Sequence, residues 1–245
     1  MINFLGRCVQ NFIEAIKYTL KGNVRLKHVL SQIASIGFDS LAICASIVFI
    51  ASCVIALQVG HQFLNSGGES YIGGFLAVAL IREIAPGFAA LALAARAGTA
   101  ICAQAANMQV TNQIDAIEVL KVNSIGYYFA PRIIAGSISV FCIVLIAELV
   151  GIVGGSIVTH FSIGLHPTRY FNSVWLMLVM KDVWVSLLKG LIFGAIIALV
   201  CSTMGYNTKG GAKNVGISTT KSAVCCTVYI LVADLIIGLL FYFNN

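Results

Sequence analysis

Residues 71–98 read YIGGFLAVALIREIAPGFAALALAARAG, a run in which Arg82, Glu83 and Arg96 are the only charged side chains. A hydrocarbon layer about 30 Å thick is crossed by roughly 20 apolar residues in a helix, so this stretch is long enough to span a membrane. Working outward with the same ruler, four more apolar spans fall at about 38–59, 131–158, 183–202 and 223–243. Composition agrees. Of 245 residues 59% are hydrophobic and 10% charged, where soluble domains average about 45–50% and 25%. Soluble globular folds, disorder, collagen and coiled coil are excluded on these numbers, with Gly at 23 and Pro at only 3. The reading is an all-α integral membrane protein with five transmembrane helices, a single domain over 1–245 with its bundle at 38–243 and an interfacial region at 1–30.

Five spans put the two termini on opposite sides. Arg7, Lys17, Lys21, Arg25 and Lys27 precede the first span, Lys121 and Arg132 lie between the second and third, and Lys209, Lys213 and Lys221 lie between the fourth and fifth. The connections 60–70 and 159–182 hold only Arg169 and Lys181. Cytoplasmic connections are the ones enriched in Lys and Arg, which predicts a cytoplasmic N-terminus, cytoplasmic 99–130 and 203–222, and an outer C-terminus. The net charge of +6 is thus expected to face a membrane surface. No basic run interleaved with aromatics suggests nucleic acid.

Before the first span, Leu5, Val9, Phe12, Ile13, Ile16 and Leu20 recur at helical spacing, with Arg7, Gln10, Glu14, Lys17 and Lys21 on the other side. Residues 2–21 therefore form an amphipathic helix, either lying on the cytoplasmic leaflet or packed on the bundle. The first thirty residues lack the apolar core and cleavage site of a signal peptide and are expected to be retained.

Charges inside spans carry most information, because one at mid-membrane costs about 2.5–3.5 kcal/mol on insertion scales. Arg82 and Glu83 are neighbours, pointing about 100° apart on a helix, so each is expected to reach a partner on another helix or a wet cavity. Pro86 removes a backbone donor and is expected to bend the span. This group, Arg82, Glu83 and Pro86, is either a ligand-cavity or gating element or a polar clamp. Glu148 and Asp234 are the other deep acids, and Lys189 is placed to neutralise one of them. Gly190 and Gly194 form a GxxxG pair suited to close helix approach, within the chain or at a dimer seam.

Other chemistry is sparse. The eight cysteines form no C-x-x-C pair and read as small apolar filler, so no metal site is expected. His28, His61, His160 and His166 have no nucleophile or acid at catalytic spacing. The glycine stretch 205–211 lacks the G-K-[ST] of a phosphate loop, so no ATP hydrolysis and no cofactor are expected here.

The connection RAGTAICAQAANMQVTNQIDAIEVLKVNSIGYYFAPR, residues 96–132, places Val110, Ile114, Ile117 and Val119–Leu120 against Asn112, Gln113, Asp115 and Glu118 at near-helical spacing. A short amphipathic helix is expected, suited to a groove on a soluble partner.

From LIREIAPGFAALALAARAGTA (80–100) through QVTNQIDAIEVLKV (109–122) to PRIIAG (131–136), the chain resembles the MlaE family of ABC-transporter permeases, also called YrbE or TGD1-like. The resemblance implies a non-enzymatic permease subunit, homodimeric, in a bacterial inner membrane. It implies partnership with a cytoplasmic ABC ATPase subunit and an outer MCE-domain substrate-binding protein, leaves room for a STAS-domain accessory subunit, and makes phospholipid or a related lipid the cargo. Carried over by position, Arg82 and Glu83 match the family's charged pair at the lipid cavity. The segment 104–120 matches its ATPase-coupling helix, including Gln104, Val110, Thr111, Gln113, Ile114, Asp115, Ile117 and Glu118. This chain departs from the family at Gln104 and Asn112, both usually Glu, and at Asn123-Ser124, usually Asp-Pro. Fewer acids shift the expected docking toward the apolar face, with Ile114 and Ile117 as anchors. A secondary transporter and a non-transporting scaffold are the rival classes, the first using Arg82, Glu83, Glu148 and Asp234 for ion coupling.

Overall fold

The computed structural model describes residues 2–22, 24–65, 67–121 and 123–242. Predicted positions at 1, 23, 66, 122 and 243–245 lie outside the described residues. Among the described residues the secondary structure is entirely helical. Five helical stretches are long and apolar enough to cross a membrane: Leu26–Leu64, Glu69–Val110, Ser124–Ile163, Met180–Tyr206 and Ala212–Phe241. The first four predicted spans lie inside them and the fifth, 223–243, overlaps its stretch to Phe241; the helices run on past most of the predicted ends. Hydropathy marks only the hydrocarbon layer, whereas backbone hydrogen bonding carries a helix on into the polar region.

The chain opens with α1 (Ile2–Leu20) and α2 (Leu26–Ile33), which passes through a wide π turn at Ala34–Phe38 into α3 (Asp39–Asn65). The second span comprises α4 (Ile72–Ala79), a π turn at Leu80–Ile84, α5 (Ala85–Leu93), a second π turn at Ala94–Gly98, and α6 (Thr99–Val110). A short α7 (Gln113–Val119) leads to the 40-residue α8 (Ser124–Ile163). Then come α9 (Pro167–Met177), α10 (Met180–Tyr206) and α11 (Ala212–Tyr242).

Helix α8 is the centre of the bundle, with α3 on one side and α10 on the other. Its contact with α10 is backbone against backbone. A Cβ on Gly136 would stand 2.7 Å from the Gly194 carbonyl oxygen, and one on Gly194 would strike Gly136 in return. Gly190 similarly faces the backbone of Phe141. The GxxxG of α10 is therefore spent inside the chain, where small residues let two helices approach closely.

Helix α1 has three faces. Cys8, Asn11 and Ala15 are buried against the bundle, with Asn11 Nδ2 donating to Thr203 Oγ1 at 3.2 Å. Leu5, Val9, Ile13, Ile16 and Leu20 stay exposed, and so do Arg7, Gln10, Lys17 and Lys21, with Glu14 half-buried. The helix is both packed on the bundle and amphipathic toward its surroundings, because a stripe of small residues separates its apolar and charged faces.

The connection 159–182 is more ordered than its composition suggests. Helix α9 lies on α4, where Ser173 Oγ accepts from the Gly74 backbone N–H at 3.0 Å, and side chains at Gly73 or Gly74 would collide with α9. His160 and His166 are exposed there, and His61 is exposed near the end of α3.

Candidate functional site

The charges of the second span sit on its irregularities. Arg82 and Glu83 occupy the π turn Leu80–Ile84 and Arg96 the turn Ala94–Gly98. A π turn inserts an extra residue into the helix, which changes the directions of its side chains, and such turns concentrate at functional sites. Pro86 falls in the first turn of α5, where its missing N–H is tolerated. The wide turn just before it takes up the distortion expected of a proline.

Both predicted partners exist, on different helices. Arg82 makes a bidentate pair with Asp182 of α10, Nε to Oδ1 at 2.9 Å and Nη2 to Oδ2 at 3.1 Å. Glu83 Oε1 accepts from Lys189 Nζ at 3.0 Å. Lys189 is wholly buried and also pairs with Asp234 Oδ1 of α11 at 2.6 Å. Its third contact is the Arg82 carbonyl oxygen at 2.8 Å. That carbonyl is four residues before Pro86 and so lacks the helical N–H that another residue would supply. The ammonium thus donates to two acceptors of the second span and forms an ion pair with a carboxylate of α11. Lys189 neutralises Asp234 as the sequence suggested, whereas Glu148 accepts a short hydrogen bond from Ser186.

The cluster holds two cations and three carboxylates, joining the second, fourth and fifth spans. Asp182 is 2% and Asp234 17% exposed, but Glu83 is 54% and Arg82 39% exposed. One edge is sealed in protein and the other is open. A buried pair of charges is tolerated when hydrogen bonds complete it. The open edge gives a polar group from outside the chain a place to bind. Sequence reading assigned Asp182 to a connection and missed it. Its signal was present, since Asp182, Ser186 and Lys189 recur at i, i+4 and i+7 and share one face of α10.

The second predicted region, 104–120, is not one helix. Gln104 and Val110 belong to α6, the end of the second span, while Gln113, Ile114, Asp115, Ile117 and Glu118 belong to α7. Between them Thr111 Oγ1 closes onto the Asn107 carbonyl at 2.8 Å, and Asn112 adopts φ 56° and ψ 21°. The left-handed region disfavours most side chains and tolerates Asn, so the corner falls at Asn112. This reorients α7. Ile114 is 3% exposed, Ile117 is half-buried, and Val119 and Leu120 are 82% and 75% exposed. The expectation that Ile114 and Ile117 present the outward anchors is corrected: Ile114 is packed inward, and the free apolar side chains are Val119 and Leu120. Glu118 is held by Ser124 Oγ at 2.8 Å and Tyr206 OH at 3.1 Å, whereas Asp115 is exposed.

Behind the corner, Gln104 Oε1 accepts from Arg132 Nη2 at 3.2 Å. Arg132 is 9% exposed, its guanidinium lies 3.6 Å over the Tyr128 ring, and Nη1 donates to the Tyr128 carbonyl at 3.1 Å. Its Nε has no hydrogen-bond partner among the described residues. Thus Gln104 ties α6 to α8 as a neutral acceptor for a buried cation.

Comparison with known proteins covers nearly the whole of this architecture. The family model for Permease MlaE matches residues 29–240. A probable ABC transporter permease protein of Rickettsia prowazekii is 35% identical over 228 residues, 93% of this chain and 88% of that protein. Another, from Synechocystis, is 33% identical over 225 residues, 92% of this chain and 86% of that protein. Protein TRIGALACTOSYLDIACYLGLYCEROL 1, chloroplastic, of Arabidopsis thaliana is 31% identical over 223 residues, 91% of this chain and 64% of that protein. The matched region runs from α2 to α11 and contains both the intramembrane charge cluster and the corner at Asn112, and on this ground the chain belongs to the MlaE permease family.

Proposed function

We propose that this chain, as one permease domain, is the membrane subunit of an ATP-driven transporter that moves phospholipid or a related lipid between membranes, ATP being hydrolysed by a separate subunit. The observation that carries the reading is the half-exposed edge of the charge cluster, Glu83 and Arg82, within spans that are otherwise apolar. Lipid tails suit the apolar walls and a polar headgroup suits that edge. The name of the Arabidopsis relative refers to a glycolipid, which supports a lipid cargo.

The exposed face of α11 supports a homodimer. The most apolar window of the fifth span is only 17% buried, and Val224, Val228, Leu231 and Leu235 on it are exposed. Glu83 lies beside this helix, with Oε1 3.9 Å from where a Cβ on Gly238 would stand. A carboxylate left facing hydrocarbon is costly. A second copy over this face removes Glu83 from lipid and encloses a central chamber. The Lys and Arg distribution supports a bacterial inner-membrane orientation with the N-terminus cytoplasmic and the C-terminus outside. The α6–α7 corner then faces the cytoplasm and seats in the ATPase, with Val119 and Leu120 as anchors. The opposite end meets an MCE-domain protein, and a STAS-domain subunit is a further partner.

Co-purification identifies the companions, and reconstitution with the ATPase measures ATP-dependent movement of a fluorescent phospholipid. Glu83→Arg should abolish movement while leaving complex yield unchanged, because it sets a third cation against Arg82 and Lys189. Lipid movement in liposomes without any ATPase would replace this reading with secondary transport. Normal transport by Glu83→Arg would remove the cluster from the pathway.

A further inference from the structure

An open cleft of about 710 Å³ lies between the end of α1, the start of α2, α7 and the start of α8, walled by Tyr18, Arg25, His28, Ile117, Leu120 and Tyr127. It is separate from the charge cluster, and of its walls only Leu120 also enters the proposed ATPase contact. Arg25 and His28 stand three residues apart and so share one side of the α2 start. The His28 ring meets Tyr127 edge-on at 5.9 Å. Among the described residues neither Arg25 nor His28 has a carboxylate within ion-pair distance. Glu118, on the neighbouring α7, is engaged by Ser124 and Tyr206 instead. Exposed Lys21, Lys27 and Lys121 add to the positive field.

The rim is apolar. Leu20, Leu26 and Leu30 are 82%, 78% and 64% exposed, and α2 runs directly into the first span. The cleft therefore sits where the chain enters the membrane. A cationic cavity bordered by exposed leucines at that depth matches a molecule with an anionic head and long apolar tails.

We propose that this cleft binds the phosphate headgroup of an anionic phospholipid from the leaflet on the N-terminal side, with its acyl chains leaving along the apolar walls at Val24 and Ile117. The bound lipid is a resident ligand and not the cargo. It touches α2 on one wall and Ile117 and Leu120 of the corner on the other, so it braces the corner against the first span. The lipid site rests on the membrane-spanning fold; its influence on coupling rests on the transporter reading.

The test is native mass spectrometry of the detergent-purified full chain, titrated with phosphatidylglycerol or with phosphatidylcholine of the same acyl chains. A basic residue near an anionic lipid is worth roughly fivefold in affinity. Arg25→Ala with His28→Ala should therefore lower phosphatidylglycerol binding by on the order of tenfold and leave phosphatidylcholine binding unchanged. Arg25→Glu should lower it further. Lys209→Ala with Lys213→Ala, which removes at least as much positive charge from another connection, should keep the preference. Inorganic phosphate at millimolar concentration should not displace the lipid. The proposal is overturned if the cleft variants keep the preference, if the control pair loses it equally, or if phosphate displaces the lipid, which would make the cleft a soluble-phosphate site. Binding is read without an ATPase, so failure here leaves the transport reading standing, and failure of transport leaves this measurement valid.

Discussion

Replacing Lys189 by Met should be the most damaging single change in the bundle interior. The substitution keeps a long apolar stem but deletes the ammonium that serves Asp234, Glu83 and the Arg82 carbonyl at once. Removing one partner of a buried ion pair costs about 3–5 kcal/mol, which applies to Asp234 at 17% exposure. An orphaned carbonyl adds about 1–3 kcal/mol, and no N–H from Pro86 can replace the lost donor. Glu83 is half-exposed and adds little, since a solvated carboxylate is screened. The sum is about 4–8 kcal/mol, or roughly three decades or more in the unfolding equilibrium at 1.4 kcal/mol per decade. Adding Asp234→Leu should recover at least half of the loss, because burying an apolar pair is often as good as burying a charged one. The assay is SDS-driven unfolding in mixed micelles, followed by the fluorescence of Trp175 and Trp184. A loss below about 1 kcal/mol for Lys189→Met, or a double variant worse than the single one by the full cost of Asp234→Leu alone, would refute the reasoning by showing that the two groups are independently solvated.

Three further outcomes are expected. Gln104→Glu should stabilise the fold by about 1–2 kcal/mol in the same unfolding assay, because it offers the buried Arg132 guanidinium a charged acceptor in place of a neutral one; no gain would mean that Arg132 is better solvated than its 9% exposure indicates. Val119→Asp with Leu120→Asp should release the ATPase in co-purification or uncouple its hydrolysis from transport, while Asp115→Asn should do much less, since apolar anchors at an interface outweigh rim charges of about 1 kcal/mol or less. Ile114→Asp should instead lower stability, which the unfolding midpoint distinguishes from a docking defect. Gly194→Val should cost about 3 kcal/mol, the upper end for overpacking, because its side chain would meet the Gly136 backbone and not a movable side chain; a silent substitution would mean that α8 and α10 stand further apart.

Much of the bundle could be read from hydropathy, since a hydrocarbon layer imposes a length that any sequence must satisfy. The charged pair of the second span was equally visible, because an ion in an apolar run has to find a partner. Asp182 was missed because it stands at the first turn of α10, where composition alone reads as connection. Only its phase with Ser186 and Lys189 gives it away. The spacing of Ile114 and Ile117 correctly indicated a helix, but which side of it faces inward depends on Asn112. One residue in the left-handed region turns the whole segment, and the alternation of apolar and polar residues carries no trace of that rotation. The π turns under Arg82 and Arg96 are likewise not marked by hydropathy, which registers how apolar a segment is and not how its backbone is wound.

Helix α8 is 40 residues long, which at 1.5 Å per residue is about 60 Å, close to twice the hydrocarbon thickness. Its one proline, Pro131, lies near the end that adjoins α7, and a helix yields most readily where a backbone hydrogen bond is missing. The remainder is an unbroken rod with its compliance concentrated at one end. Such a rod behaves as a lever pivoted at its base: a tilt of about 5° there displaces the far tip by roughly 4–5 Å, a distance comparable to one helical turn. Small movements of the α6–α7 corner would in this way arrive magnified on the opposite side of the membrane.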